Sequence, residues 1–194
     1  MHESPTMNNG RIARDAAQAS PFEGLQAFQA SLLERMEAAS SEQSYTRRLA
    51  VLIGDVPCLV NLAEAGEIIP LSTLDKVTRV PLTLPWYLGL ANIRGNLVGI
   101  TDLAMLAGAP PQVAAPASRV LVLSPTLAPN CGLLLASVLG MRQIYDMKEI
   151  SKASDGDLKI PGVMRHHKDS EGTEWRELSL VSLLNDDRFL HIGR

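Results

Sequence analysis

The chain has 194 residues, 46% hydrophobic and 20% charged, with a formal net charge of -3. That length suits one domain or two small subdomains on a shared core. The negative balance gives no general attraction to phosphate backbones, and 4% aromatic residues leave few platforms for stacking bases, so no nucleic acid partner is expected.

The opening MHESPTMNNG is polar, without the apolar centre of a signal peptide, and residues 1–19 read as a disordered lead. SPFEGLQAFQASLLERMEAA follows with Ser20 as N-cap, Pro21 at the first helical position and Glu23 completing a capping box. Phe22, Leu25, Phe28, Leu32 and Met36 recur at steps of three or four, which predicts an amphipathic helix over 20–39.

After SSEQSYT the period becomes strand-like. RRLAVLIGDVPCLVNL holds two apolar runs hinged on Gly54-Asp55 and predicts a hairpin; ANIRGNLVGIT repeats the device around Gly95-Asn96. SRVLVLS, CGLLLASVL, MRQIYDM and GTEWRELSL supply further strands. LPWYLGL, DLAMLAG and LVSLLND predict helices of one or two turns. Without long helices between the strands, antiparallel barrels or a sandwich are expected. ANIRGNLVGITDLAML and IPGVMRHHKDSEGTEWRELSLVSLL both run strand, turn, strand, leucine helix, which hints at two similar barrels. The longest nearly uncharged stretch, CGLLLASVLGM, is well short of the ~20 residues of a membrane helix, so a cytoplasmic chain with no direct membrane insertion is expected.

Catalytic constellations are hard to assemble. Cys58 and Cys131 sit in apolar runs and read as buried, reduced thiols. His166 and His167 fall in a polar, hairpin-like loop, and adjacent strand residues point to opposite faces. No Cys-x-x-Cys, His-Glu-x-x-His, phosphate loop or G-x-S-x-G elbow accompanies them, and DGDLK at 155–159 reads as a turn. No catalytic residue, metal or cofactor is expected; an enzyme using the His166/His167 loop is the remote alternative. Arg94 is the odd residue, a guanidinium beside a Gly-Asn pair in an apolar stretch. It either clamps its hairpin to a carboxylate such as Asp102 or Glu67, or presents its planar fork beside a partner's groove.

GLANIRGNLVGITDL resembles the asparagine-hydrophobe-arginine-glycine signature of CheW-like domains. The resemblance runs in order over residues 46–190: LAVLIGDVPCLVNLAEAGEII is similar to the opening hairpin and Glu-Ile strand, RVPLTLPWYLGL to the lead into the signature, and RVLVLS, CGLLLASVLGMRQIYD, KIPGVMR and WRELSLVSLL to the later strands and helix. It implies a mainly β fold of two SH3-like five-stranded barrels around a shared core, and a non-enzymatic adaptor coupling methyl-accepting chemoreceptors to a CheA-type histidine kinase, at receptor arrays beneath the inner membrane. PWYLGLANIRGNLVGITDLAMLAG is most similar to PilI-type members, which serve type IV pilus (twitching) systems; a flagellar chemotaxis adaptor is the alternative. The resemblance makes Arg94 the coupling residue, with Asn92 and Gly95 in the same signature, and puts Glu67 and Ile68 on the partner-facing edge. Val60 and Ile69 are further candidates, each equally a core residue. Departures are Gly99, where many members carry proline, and Ser179, where a second aspartate is common.

Overall fold

The computed structural model describes residues 46–151 and 158–193. The lead expected over 1–19, the helix expected over 20–39 and most of DGDLK lie outside the described residues. In chain order the elements are β1 (Arg47–Ile53), β2 (Val56–Asn61), β3 (Ala65–Pro70), β4 (Val77–Thr78), β5 (Tyr87–Ile93), β6 (Asn96–Thr101) and α1 (Leu103–Leu106). A second set follows: β7 (Arg119–Leu123), β8 (Cys131–Leu135), β9 (Ser137–Gln143), β10 (Lys148–Ile150), β11 (Val163–Lys168), β12 (Glu174–Leu178), α2 (Leu180–Leu184) and α3 (Asp187–Leu190).

The strands form two six-stranded sheets, ordered β10-β11-β12-β2-β1-β9 and β3-β7-β8-β6-β5-β4. The five strands expected per barrel are joined in each sheet by one short edge strand, β10 of three residues or β4 of two. The sheets are mixed rather than antiparallel throughout, because β12 pairs parallel to β2 and β6 parallel to β8. These parallel pairs arise where the first half of the chain (β1–β6) meets the second (β7–β12). In one sheet the β1–β2 hairpin is clasped between β12 and β9, and in the other the β7–β8 hairpin is clasped between β6 and β3. Each half thus lends its leading hairpin to the other half's sheet. The repeat in the sequence is visible here as two equivalent hairpin-plus-helix units, β5-β6-α1 and β11-β12-α2.

Side-chain alternation explains why the central strands read as continuous apolar runs. Leu49, Val51 and Ile53 of β1 enter a core shared by both sheets, while Ala50 between them joins Leu59 and Trp175 in a separate cluster. Leu133 and Leu135 of β8 enter the shared core, and Leu134 faces a third cluster with Ile93, Val98, Ile100 and Val120. Each sheet therefore covers a small apolar cluster of its own on the face away from the shared core.

The helices begin on side-chain caps. Asp102 accepts from the Met105 amide at 3.1 Å, and Ser179 does the same for the Ser182 amide at 3.2 Å, so the serine at the expected aspartate position performs the same capping. LPWYLGL is not helical: its second half is the start of β5, with a bulge between Tyr87 and Gly89. The apolar spacing that suggested a helix has another cause, since Leu84 donates to the Ile192 carbonyl and Trp86 stacks on Phe189, pinning the end of the chain. Among the described residues no helix is long and apolar enough to cross a membrane.

Candidate functional site

The β1–β2 turn is Gly54-Asp55 as expected, with Ile53 opposite Val56 and Gly54 at φ 60°. The β5–β6 turn differs from expectation. Its last pair is Ile93 opposite Asn96, so the loop residues are Arg94 and Gly95, at φ 53° and 88°, not Gly95-Asn96. Two consecutive positive φ values are the mark of a two-residue turn whose twist matches the flanking strands. Sequence reasoning placed the glycine first because glycine most readily supplies positive φ; here the arginine takes one of the two left-handed positions itself. Asn92 braces the turn, its Oδ1 accepting from the Gly95 amide at 2.8 Å.

From that turn the Arg94 guanidinium reaches Glu67 on β3, Nη2 to Oε1 2.5 Å, with the two side chains 77% and 38% exposed. β3 is an edge strand and β5 lies four places along the same sheet, so the pair meets only because the sheet rolls over its own cluster. Beneath it lies a groove of about 320 Å³ with Ile93, Val98, Val122 and Leu123 in its lining and Pro125 and Pro129 on its wall. Gly66 also lines the groove, at a bulge of β3 against β7. A Cβ on Gly66 would stand 2.7 Å from the Leu123 carbonyl oxygen, so only glycine lets β3 lie this close and set Glu67 at the rim.

The expected partner-binding residues therefore divide. Arg94, Glu67, Asn92 and Gly95 gather at one exposed corner. Ile68 and Ile69 on β3 are half-buried, Ile68 against the shared core and Ile69 against the cluster inside its own sheet. Val60 is a correction: it is 0% exposed in the shared core, because the inward side of β2 takes Val56, Cys58 and Val60 alike. Pro125 and Pro129 were missed, since a loop proline carries no signal that its ring walls a groove.

Asp102 is not the partner of Arg94. It is 1% exposed and receives, besides the Met105 amide, the Gln112 backbone amide at 3.0 Å and Gln112 Nε2 at 2.8 Å. Gln112 Oε1 in turn accepts from the Gly54 amide at 3.0 Å, so one glutamine ties the proline-bounded strap between α1 and β7 to the first hairpin. Gly99, where the resemblance leads one to expect proline, donates its amide to the Asn130 carbonyl at 2.9 Å, a bond proline would forfeit.

The histidine pair is also placed differently from the loop expected. Both residues lie on β11, so one must face inward, and His167 is 2% exposed with Nε2 3.1 Å from Glu177 Oε2. Arg48 donates to the other Glu177 oxygen through Nε at 3.2 Å and Nη2 at 3.1 Å. Burial pushes the Glu177 carboxyl up, but the bonds from His167 and Arg48 outweigh it and hold the group below its ordinary value. Burial pushes the Cys58 thiol up to about 12 and the Cys131 thiol to about 11, which leaves neither ionised as a nucleophile at neutral pH. Among the described residues no three or more His, Cys, Asp or Glu side chains group to hold a metal ion. What the corner offers is a planar cation and a carboxylate above an apolar floor, which is recognition chemistry.

The CheW-like domain model matches residues 48–189. Among solved structures the chain resembles the scaffolding protein TtCheW from Thermoanaerobacter tengcongensis, with a TM-score of 0.59 and 15% identity over 74% of this chain and 94% of that one. No curated protein matches the sequence. The family match begins inside β1 and ends at Phe189 of α3, so it takes in both clasped hairpins, the capped helices α1 and α2 and the Arg94–Glu67 corner, and on that span the chain belongs to the CheW-like domain family.

Proposed function

We propose that the protein is a non-enzymatic adaptor that couples methyl-accepting chemoreceptors to a CheA-type histidine kinase, held at receptor arrays beneath the inner membrane. Within that class we assign it to the PilI-type adaptors of type IV pilus systems, on the wording of residues 85–108. The supports are the family match and the likeness in fold to TtCheW, a scaffolding protein. The observation that carries the reading is the exposed Arg94–Glu67 pair above the apolar groove. A pair that served only to clamp its turn contributes ~0–1 kcal/mol at this exposure, little return for holding arginine at a positive φ. A partner surface uses both features, with Arg94, Glu67, Ile68, Asn92 and Gly95 at or beside the contact.

The test is an array reconstituted from receptor, CheA-type kinase and adaptor of one genome. Arg94→Ala is expected to give a folded protein that no longer supports receptor control of the kinase; normal control would sink the adaptor role of Arg94. For the pilus assignment, a deletion strain is expected to lose directed twitching and keep swimming chemotaxis, and the reverse result assigns the chain to a flagellar array.

A further inference from the structure

Asn92 stands in the same signature as Arg94, and the geometry gives the two residues different tasks. Asn92 is opposite Leu97 on the neighbouring strand, two residues before the turn, and its Oδ1 is spent on the Gly95 amide. That bond spans Ile93 and Arg94 and so closes a ring around the left-handed arginine. An arginine in this region is held against the crowding of its own Cβ, so some external bond must keep the turn from relaxing to one that splays the strands. Space does not do it, because a Cβ built on Gly95 meets nothing within 4 Å. Glu67 pulls on the guanidinium only, at the far end of a flexible side chain, and fixes the backbone weakly.

We infer that Asn92 is the positioning residue of this corner: by holding the Gly95 amide it fixes the left-handed turn and so sets where Arg94 meets a partner, without itself being the contact. The inference rests on the reading of Arg94 as partner-facing, and its consequences separate into one for the free protein and one for binding. In the free protein, among the described residues, the Gly95 amide is protected through Asn92. In binding, Asn92 acts only through Arg94.

Hydrogen exchange of the Gly95 amide in the free full-length protein tests the first part. Asn92→Ala is expected to speed it about three- to tenfold, the loss due to one hydrogen bond of this class. Asn92→Asp keeps an acceptor oxygen in place and is expected to stay within about twofold of the parent. Unchanged exchange in Asn92→Ala overturns the proposal whatever the binding shows. The second part is a double-mutant cycle on affinity for the CheA-type kinase and for receptor, run on variants matched in melting temperature. Asn92→Ala is expected to weaken binding about three- to tenfold in the parent and to change nothing further in the Arg94→Ala background. Additive losses, or an Asn92→Asp variant as weak as Asn92→Ala, make Asn92 a contact and overturn the proposal. If Arg94→Ala alone binds normally, the adaptor reading of Arg94 fails; the exchange result then still decides whether Asn92 holds the turn.

Discussion

Arg94 occupies a backbone position, φ 53°, that suits glycine or asparagine, and the cost of holding another residue there is about 1 kcal/mol. Arg94→Gly removes that cost together with the Glu67 pair, whereas Arg94→Ala removes the pair and keeps the cost. The glycine variant is therefore expected to melt higher than the alanine variant, with both equally deficient in kinase control; thermal melts in which alanine is the more stable would contradict the turn assignment. The cluster of half-buried Arg48 and Glu177 with buried His167 gives a second outcome at this scale. Glu177 lies below its ordinary value of 4.5 in the folded state, so its contribution is complete above that pH and is lost as the pH falls through the lower folded value. Urea midpoints of the parent are expected to drop more steeply below about pH 5 than those of Glu177→Gln, which has no charge to lose at that position; coincident slopes would show that the cluster does not titrate on unfolding. The chemistry of the corner was legible in the sequence, because an arginine beside Gly-Asn in an apolar run has few uses. Which carboxylate it meets was not. Asp102 is nearer in sequence, yet as the N-cap of a helix it is buried and already occupied, while Glu67 arrives through the roll of a sheet that no local pattern records.

At the scale of elements, period-2 patterning located the strands, and brief leucine-rich runs located α1 and α2 in DLAMLAG and LVSLLND, whose caps only the structure shows. The failures share one cause, which is that a segment's burial was assigned by its own pattern when a distant segment supplies it. LPWYLGL looks helical because Leu84 and Trp86 serve the end of the chain rather than a periodic face. MRHHK looks like a solvated loop because its charges hide that the opposite face of β11 is closed by Trp175 and Glu177. Parallel pairing was invisible for the same reason: β2 and β12 are more than a hundred residues apart, and nothing in either strand marks its neighbour. The loose rhyme between the two hairpin-helix segments was the one signal of long-range order, and the equivalent caps at Asp102 and Ser179 show what it recorded.

For the molecule as a whole, the mutual clasp of the hairpins makes the two halves of the described fold incomplete without each other. A cleavage site engineered beside Val113, in the exposed strap between the halves, is expected to leave the nicked protein folded. Fragments separated in denaturant are each expected to lack a cooperative unfolding transition, and mixing them should restore it; a fragment that unfolds cooperatively alone would show that its sheet does not need the exchanged hairpin. The clasp also decides how the molecule yields to force. β1 lies between β2 and β9 with six register pairs to each, so a pull along it loads both ladders in shear, and their bonds must give together. A hairpin hanging at a sheet edge would instead unzip one bond at a time. Drawing β1 out of the described fold is thus expected to take more force than drawing out an edge hairpin, which single-molecule pulling along β1 would check.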